Sequence, residues 1–147
     1  MELLGLVLLG LASGAVLPVQ ASVNSVMGRQ LGRPEWAALV NFTVGSVGLA
    51  CWLLVQRARI PGPDQVSGAP WWAWTGGFLG AVFVSLVVLL VPRLGVATTL
   101  SLAVACQMAG AAFIDHQGWL GVPQRPFDLT RAAGAVLLVA GVVLLRR

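Results

Sequence analysis

The sequence is poor in charge. Asp, Glu, Lys and Arg together make up 10% of its 147 residues, with neither lysine nor tyrosine present, whereas hydrophobic residues make up 58%. The mean hydropathy is +0.88. Soluble domains carry about 25% charged residues, so a soluble globular fold is excluded. The sequence predicts an all-α integral membrane protein, long enough for four or five crossings of about 20 residues each.

Histidine and cysteine are also scarce. His116 is the one histidine, and no cluster of histidine, carboxylate or cysteine accompanies it at the spacing of metal ligands. Cys51 and Cys106 both fall inside apolar stretches, where a cysteine is more often a small packing residue than half of a disulfide or a metal pair. The sequence therefore predicts neither an enzyme nor a bound cofactor or metal.

Basic residues are few and are spread along the chain. The net charge is +4, and all nine basic residues are arginines, scattered over the polar segments. A surface that binds nucleic acid concentrates such charge on one patch. We therefore expect no nucleic acid as a partner.

Long charge-free stretches predict the helices. A helix in hydrocarbon satisfies its own backbone hydrogen bonds but cannot cheaply carry an ionised side chain. The charged residues leave room for five transmembrane helices in a single domain over residues 1–147, at about residues 3–27, 36–55, 71–91, 94–114 and 129–145. The fifth has about the minimum length of a span, and it requires Arg131 to extend its side chain toward the headgroups.

The two sides of such a bundle carry nearly equal numbers of arginines. One side holds Arg57, Arg59, Arg125 and Arg131, and the other holds Arg29, Arg33, Arg93, Arg146 and Arg147. An excess of basic residues normally fixes the cytoplasmic side, so four against five gives almost no bias. We therefore hypothesise insertion in both orientations and an antiparallel (dual-topology) homodimer. The alternative is one orientation that the fold or a partner fixes.

The first predicted helix carries a polar face that begins just after a proline. Gln20 and Asn24 lie one turn apart, and Pro18 removes an amide donor just before them, so we expect a kink where the polar side begins. Kinked, polar helices often line cavities in transporters, which makes Gln20 and Asn24 candidate substrate contacts. Alternatively, the two amides tie this helix to its neighbours by hydrogen bonds.

Three further polar residues are candidates for the same cavity. Asn41 lies in the second helix, and Thr99 and Gln107 lie at helical spacing in the fourth, with Gln107 close to the middle of its span. A buried amide at that depth requires partners. Gln107 either contacts substrate or bonds to Gln20 or Asn24 across the bundle.

Aromatic and ionisable residues near the span ends have two interpretations each. Trp72 and Trp74 fit an interfacial aromatic belt, but they are also candidates for the mouth of a cavity. Asp115 and His116, at the end of the fourth helix, are candidates for a gate. The alternative is that these two residues cap the helix and face water.

Small residues in the fifth helix indicate close helix packing. Gly134 follows Ala133, and Gly141 follows Ala140 seven residues later. Small side chains let helix backbones approach one another in membranes. We expect Gly134 and Gly141 to mediate packing at or near the dimer interface.

An ordered set of residues along nearly the whole chain resembles the YdcZ-like family. This family belongs to the drug/metabolite transporter superfamily, with EamA and the small multidrug resistance exporters. The residues that carry the resemblance are Pro18, Gln20, Asn24, Asn41, Phe42, Gly45, Trp71, Trp72, Gly76, Gly77, Leu79, Gly80, Pro92, Arg93, Leu94, Gly95, Val96, Ala97, Thr98, Thr99, Gln107, Asp115, His116, Gly118, Gly121, Pro123, Arg131, Gly134 and Gly141.

The resemblance implies a five-helix subunit that occurs as dual-topology homodimers, as oppositely oriented pairs or as fused ten-helix proteins. It also implies a transport role. The small multidrug resistance exporters depend on a membrane-embedded glutamate in the first helix. This sequence departs from that pattern, because the corresponding helix contains Gln20 and Asn24 and has only Glu2 at its start.

Together these features favour a multi-pass transporter of the bacterial inner membrane that works by alternating access in an antiparallel homodimer. Its expected partners are membrane lipid, a second copy of itself and an unassigned small polar metabolite or cation. The alternative is a non-transporting membrane subunit that assembles with or regulates another membrane protein.

Overall fold

The regular structure is helical throughout the part of the chain that the structure describes. The computed structural model describes residues 2–126 and 128–145, which form helices and turns with no β-strand among them. Within these residues there are six α-helices and two 3-10 helices. The α-helices are α1 (Glu2–Leu31), α2 (Pro34–Val55), α3 (Pro63–Ser67), α4 (Gly76–Leu94), α5 (Val96–Gln117) and α6 (Leu129–Leu145). The 3-10 helices are Trp71–Thr75, before α4, and Trp119–Gly121, after α5.

Four of the described helical segments are long and apolar enough to cross a membrane. They are Leu3–Leu31, Pro34–Val55, Trp71–Leu94 and Val96–Gln117. A fifth apolar helix, Leu129–Leu144, is shorter. Many large apolar side chains on these helices are exposed, as expected for helices that face lipid. The prediction of an all-α membrane protein is confirmed. Arg146 and Arg147, two of the arginines counted for orientation, lie outside the described residues.

Three helix boundaries lie at glycines rather than at the charged residues used to predict them. α1 continues past Met27 and through Arg29 to Leu31, and Gly32 follows with φ +75°. The break between the third and fourth spans lies at Gly95, with φ +80°, and not at residues 91–93. An arginine is costly in hydrocarbon, but it does not end a helix. A residue in the left-handed conformation does end a helix, and glycine adopts that conformation most easily.

Contacts between residues group the chain into two units, residues 1–93 and 94–147. In the first unit, Gly32 and Arg33 reverse the chain, so that α1 and α2 pack antiparallel. α4 packs on this hairpin at Gly28, where an added Cβ atom would collide with the Val88 side chain and lie 3.7 Å from the Ala37 Cβ. Close packing of the three helices therefore depends on a missing side chain.

The first unit has a small apolar core. Ala37 and Ala38 of α2 and Val84 and Val88 of α4 are buried, and Met27, Phe42 and Phe83 pack against them. The Phe42 ring covers Gly80, where an added Cβ would lie 2.9 Å from the Phe42 Cζ atom. Met27, the α1 residue that packs against this core, lies close in sequence to the polar residues of α1.

Pro18 lies inside α1, which is continuous from Glu2 to Leu31. The Ser22 hydroxyl donates a hydrogen bond to the Pro18 carbonyl oxygen at 2.8 Å. Because proline supplies no N–H group to the carbonyl one turn earlier, the α1 hydrogen-bond ladder lacks one bond at this position. The expected kink at Pro18 stays a prediction.

In the second unit, α5 and α6 pack together, and the segment that joins them folds back on the end of α5. α5 ends at Gly118, which has φ +65°. The Gln124 side-chain amide donates to the His116 carbonyl at 2.9 Å, and the Arg125 amide donates to the Asp115 carbonyl at 2.7 Å. These bonds satisfy carbonyls that the last turn of a helix would otherwise leave open.

Candidate functional site

Two of the predicted cavity residues contact each other in the first unit. Gln20 of α1 and Asn41 of α2 are half-buried, and the Gln20 Nε2 atom donates to the Asn41 Oδ1 atom at 3.4 Å. The antiparallel packing of α1 and α2 brings the second half of one helix against the first half of the other. This bond links neighbouring helices, as the alternative interpretation of the α1 amides predicts. Each amide keeps further donor and acceptor capacity.

Asn24 lies one turn after Gln20 and is more deeply buried. Its exposed fraction is 8%, and its side-chain amide makes no hydrogen bond within residues 2–126 and 128–145. Every fully enclosed side-chain nitrogen or oxygen among these residues has a hydrogen-bond partner. Because the Asn24 amide has none, it is not fully enclosed and keeps a small accessible area. A largely buried amide without a partner loses hydration at a cost of about 1–3 kcal/mol. The α1 face that carries Gln20 and Asn24 therefore has hydrogen-bonding capacity that the described residues do not use.

A second polar contact on α1 was not predicted from the sequence. Ser25 has an exposed fraction of 1%, and its hydroxyl oxygen accepts a hydrogen bond from the Arg29 Nη1 atom at 3.1 Å. The four-residue spacing of serine and arginine on one helix face was the available signal. The contact holds a guanidinium group at the end of α1, next to the buried part of the helix.

Thr99 and Gln107 lie in the second unit, both on α5. Thr99 is buried, and its hydroxyl donates to the Gly95 carbonyl at 2.8 Å, where it completes the first turn of the helix. Gln107 is exposed two turns further along α5. The role of both residues in a substrate cavity stays a prediction.

Trp72 and Trp74 lie in the 3-10 helix Trp71–Thr75, immediately before α4. Both indole side chains are exposed, Trp74 more than Trp72. A tryptophan pair at the beginning of a membrane-spanning segment fits an interfacial belt. Their alternative role at the mouth of a cavity stays a prediction.

Asp115 and His116 lie at the C-terminal end of α5 and line a cavity of about 630 Å³ between α5 and α6. The Asp115 Oδ2 atom forms an ion pair with the Arg131 Nη1 atom of α6 at 3.3 Å. Arg131 thus pairs with Asp115, an arrangement that the expected extension toward the headgroups did not include. The ion pair joins the two helices of the second unit. The role of Asp115 and His116 as a gate stays a prediction.

Gly134 and Gly141 lie on α6 with open space beside them. An added Cβ atom would have no neighbour within 4 Å at either position. Gly134 also lines the cavity between α5 and α6. Packing of a second chain against these glycines stays a prediction.

The first unit contains a second, mostly apolar cavity of about 460 Å³ between α2 and α4. Its lining includes Phe42, Phe78 and Leu86, with Glu35 among the few polar groups. The Glu35 carboxylate forms an ion pair with Arg33 at 3.4 Å, and both side chains are well exposed. Exposed pairs of this kind contribute little to stability.

Comparisons with known proteins point to one family. The family model described as "Putative inner membrane exporter, YdcZ" matches residues 5–144. The inner membrane protein YdcZ of Escherichia coli (strain K12) is 33% identical over 111 residues, which cover 76% of this chain and 74% of the relative. No solved structure shows a significant similarity to this chain.

Proposed function

The chain belongs to the YdcZ family of inner membrane proteins, and from this membership we propose that it transports a small polar metabolite or cation across the bacterial inner membrane. It is a multi-pass, all-α protein of that membrane. In the proposed mechanism, two antiparallel copies enclose a cavity near the middle of the membrane, which opens alternately to each side.

The largely buried Asn24 amide is the observation that carries the proposal. Hydrocarbon offers no hydrogen bonds, so a polar group inside a membrane protein is retained only where another group pairs with it. Asn24 has no such partner within the described residues, and the Gln20–Asn41 pair lies next to it along α1. A polar substrate would supply the missing bonds.

The chemistry of these residues favours a substrate that binds through hydrogen bonds. Gln20, Asn24 and Asn41 each present both a donor and an acceptor, and none carries a charge. A substrate with hydroxyl, amide or amine groups would satisfy such amides. Thr99 and Gln107 of α5 are the further polar residues that the sequence suggests for substrate contact.

α6 is the proposed fifth span and the proposed contact between copies. Leu129–Leu145 contains 17 residues, about the minimum for crossing the hydrocarbon core. The open space beside Gly134 and Gly141 would let another helix approach closely, as small residues do in membrane interfaces. The nearly equal arginine counts support two opposite orientations of the copies.

A ligand screen tests the proposal. The purified protein in detergent is unfolded thermally in the presence of amino acids, guanidinium compounds, quaternary amines, sugars and small organic anions. A compound that binds the folded state raises the unfolding temperature in a saturable way. Uptake of that compound into liposomes containing the protein is then measured.

Two variants test the site itself. Gln20→Leu and Asn24→Leu remove an amide at similar side-chain volume, and each should weaken binding of the identified compound at least about tenfold. Gln117→Leu is the control, because it makes the same change at the exposed end of α5. Unchanged binding in both α1 variants contradicts the site. No stabilising compound, together with co-purification of another membrane protein, contradicts transport and favours an assembly subunit.

A further inference from the structure

The cavity between α5 and α6 is charged at one end and apolar elsewhere. Its volume of about 630 Å³ falls in the range of sites that hold small organic ligands. Met108, Ala112, Ala135 and Leu138 are among its apolar lining residues, whereas Asp115, His116 and Arg131 supply polar groups. None of the residues assigned to the transport cavity lines it.

The ion pair in this cavity has unused bonding capacity on both partners. Arg131 offers five N–H donors, but its side chain makes one hydrogen bond within the described residues, from Nη1 to the Asp115 Oδ2 atom at 3.3 Å. The Asp115 carboxylate can accept more than one bond. The side chains are 31% and 37% exposed for Arg131 and Asp115 respectively, so a ligand can reach them.

The charges lie at the helix ends and the apolar lining lies deeper. Asp115 is in the last turn of α5, and Arg131 is in the first turn of α6. Since α5 is long and apolar enough to cross the membrane, we expect its end at the level of the lipid headgroups. Met108 and Leu138 each lie seven residues further into their helices, about 10 Å at 1.5 Å per residue.

We propose that this cavity, which we call the α5–α6 site, binds a phosphoethanolamine lipid. The lipid phosphate accepts hydrogen bonds from Arg131, and its primary ammonium group donates to Asp115. One acyl chain occupies the apolar part of the cavity. This inference does not rest on the transport proposal, because it uses none of the amide residues of the proposed substrate cavity and would hold for a protein that transports nothing.

The charges of the α5–α6 site select among headgroups. Phosphatidylglycerol has the anion but no cation, so it gives the Asp115 carboxylate no donor besides Arg131 and adds repulsion between that carboxylate and the phosphate. Phosphatidylcholine is also a zwitterion, but its quaternary ammonium has no N–H to donate to a carboxylate. Charge-assisted hydrogen bonds are about twice as strong as neutral ones, so loss of this donor should weaken binding markedly.

Native mass spectrometry of the full-length protein tests this selection. The detergent-purified protein is titrated with phosphatidylethanolamine, phosphatidylcholine and phosphatidylglycerol that carry identical acyl chains. Phosphatidylethanolamine should bind about tenfold more tightly than either of the other two lipids. Equal affinities for the three lipids would overturn the proposal.

Free phosphoethanolamine distinguishes the lipid from a soluble ligand with the same headgroup. If the acyl chain fills the cavity, the free compound at millimolar concentration should not displace the lipid. Displacement at similar molar concentrations would show that the headgroup chemistry alone is recognised and would overturn the assignment to a lipid.

Variants locate the site. Arg131→Gln should lower phosphatidylethanolamine affinity about tenfold, whereas Asp115→Asn should remove the preference for phosphatidylethanolamine over phosphatidylcholine. Arg125→Gln is the matched control, because Arg125 lies in the connection just before α6 and does not line the cavity. A loss of affinity in Arg125→Gln equal to that in Arg131→Gln would contradict the assignment.

A substitution that fills the cavity tests the proposal even if the charge variants fail to fold. Gly134→Leu adds a side chain where an added Cβ has open space, and it leaves the ion pair intact. It should abolish lipid binding. Gly110→Leu is its control, since Gly110 also has open space but does not line the cavity. Retained lipid binding in folded Gly134→Leu would overturn the proposal, and the same spectra record whether either variant changes the oligomeric state.

Discussion

Gly28 shows how one missing side chain controls the packing of the first unit. The backbone of α1 at this position lies so close to α4 that a Cβ atom would overlap the Val88 side chain. Val88 is itself buried, with an exposed fraction of 3%, so it has little room to move. Interiors are packed densely enough that one added methyl group in such a place forces neighbours apart.

We predict that Gly28→Ala destabilises the protein by about 1–3 kcal/mol, because overpacking outweighs the better helix propensity of alanine. Thermal unfolding in detergent measures the change. Gly45→Ala serves as the control, since an added Cβ there has nothing within 4 Å. Val88→Ala should cost less in the Gly28→Ala background than in the natural sequence. Equal unfolding temperatures for the two glycine variants would contradict the explanation.

At this scale the sequence predicted polar residues better than their partners. The four-residue spacing of Gln20 and Asn24 identified the polar face of α1, and the structure places Gln20 against Asn41. Gly28 and Ser25 were missed. Many glycines and serines occur in membrane helices, and only the three-dimensional arrangement shows which of them meet a neighbouring helix.

At the scale of the helix, the beginning of α6 depends on Asp128. Its Oδ1 atom accepts a hydrogen bond from the Arg131 backbone amide at 2.8 Å. The first four N–H groups of a helix have no partner within it, so a side-chain acceptor before the first turn is stabilising. The same turn presents the Arg131 side chain to Asp115. The cap and the ion pair thus support one short helix.

We predict that Asp128→Ala loosens the first turn of α6 by about 1 kcal/mol, whereas Asp128→Asn keeps most of the cap. Hydrogen exchange of the peptide that covers residues 128–135 reports the difference. Its first amides should exchange about fivefold faster in the alanine variant only. Similar exchange rates in the two variants would rule out a capping role.

Helices were easier to predict than their ends. The charge-free stretches overlap α1, α2, α4, α5 and α6, and four of the described helical segments are long and apolar enough to cross a membrane. The fifth crossing stays a prediction. The ends depend on backbone conformation, and Gly32, Gly95 and Gly118 adopt positive φ at three of them. Hydropathy measures the cost of entering hydrocarbon, so it does not detect such turns.

At the scale of the whole molecule, orientation depends on small differences in charge. The sequence places four arginines on one side of the proposed bundle and five on the other. Basic residues near the ends of spans resist translocation, so removal of only two of them should bias insertion. Arg57 and Arg59 lie in the connection after α2 and are exposed.

We predict that Arg57→Gln combined with Arg59→Gln converts a mixed population into one with a cytoplasmic C-terminus. The variant leaves two arginines opposite five, and the larger group is retained in the cytoplasm. Alkaline phosphatase and green fluorescent protein, each fused to the C-terminus, report the two orientations. Phosphatase activity should fall and fluorescence should rise.

The opposite change provides the control. Arg33→Gln with Arg93→Gln leaves three arginines on that side against four, and it should shift the reporters the other way. Dual topology would be contradicted if the unsubstituted protein showed a single orientation and neither pair of substitutions changed the reporter signals.

Membrane association could be predicted from composition alone, whereas the cavity of the second unit could not. A mean hydropathy of +0.88 leaves few alternatives to a membrane protein. The sequence identified Asp115 and His116 as candidates for a gate, but it gave no signal for the cavity between α5 and α6 that they line, because most of the lining is alanine and other apolar residues that occur along the whole chain. Such a cavity depends on how two helices pack in three dimensions, which a sequence pattern does not encode.

The length of α1 makes membrane thickness a variable for this protein. The helix has 30 residues, and its charge-free part, residues 3–28, measures about 39 Å, whereas the hydrocarbon core of a bilayer is about 30 Å thick. Such a mismatch is relieved by tilting the helix, by bending it or by thickening the bilayer locally. Pro18 lies near the middle of α1, where bending is least costly. The acyl-chain length of the surrounding lipids, together with the packing of α1 on its neighbours, should therefore influence the tilt of α1, and with it the depth in the membrane at which Gln20 and Asn24 lie.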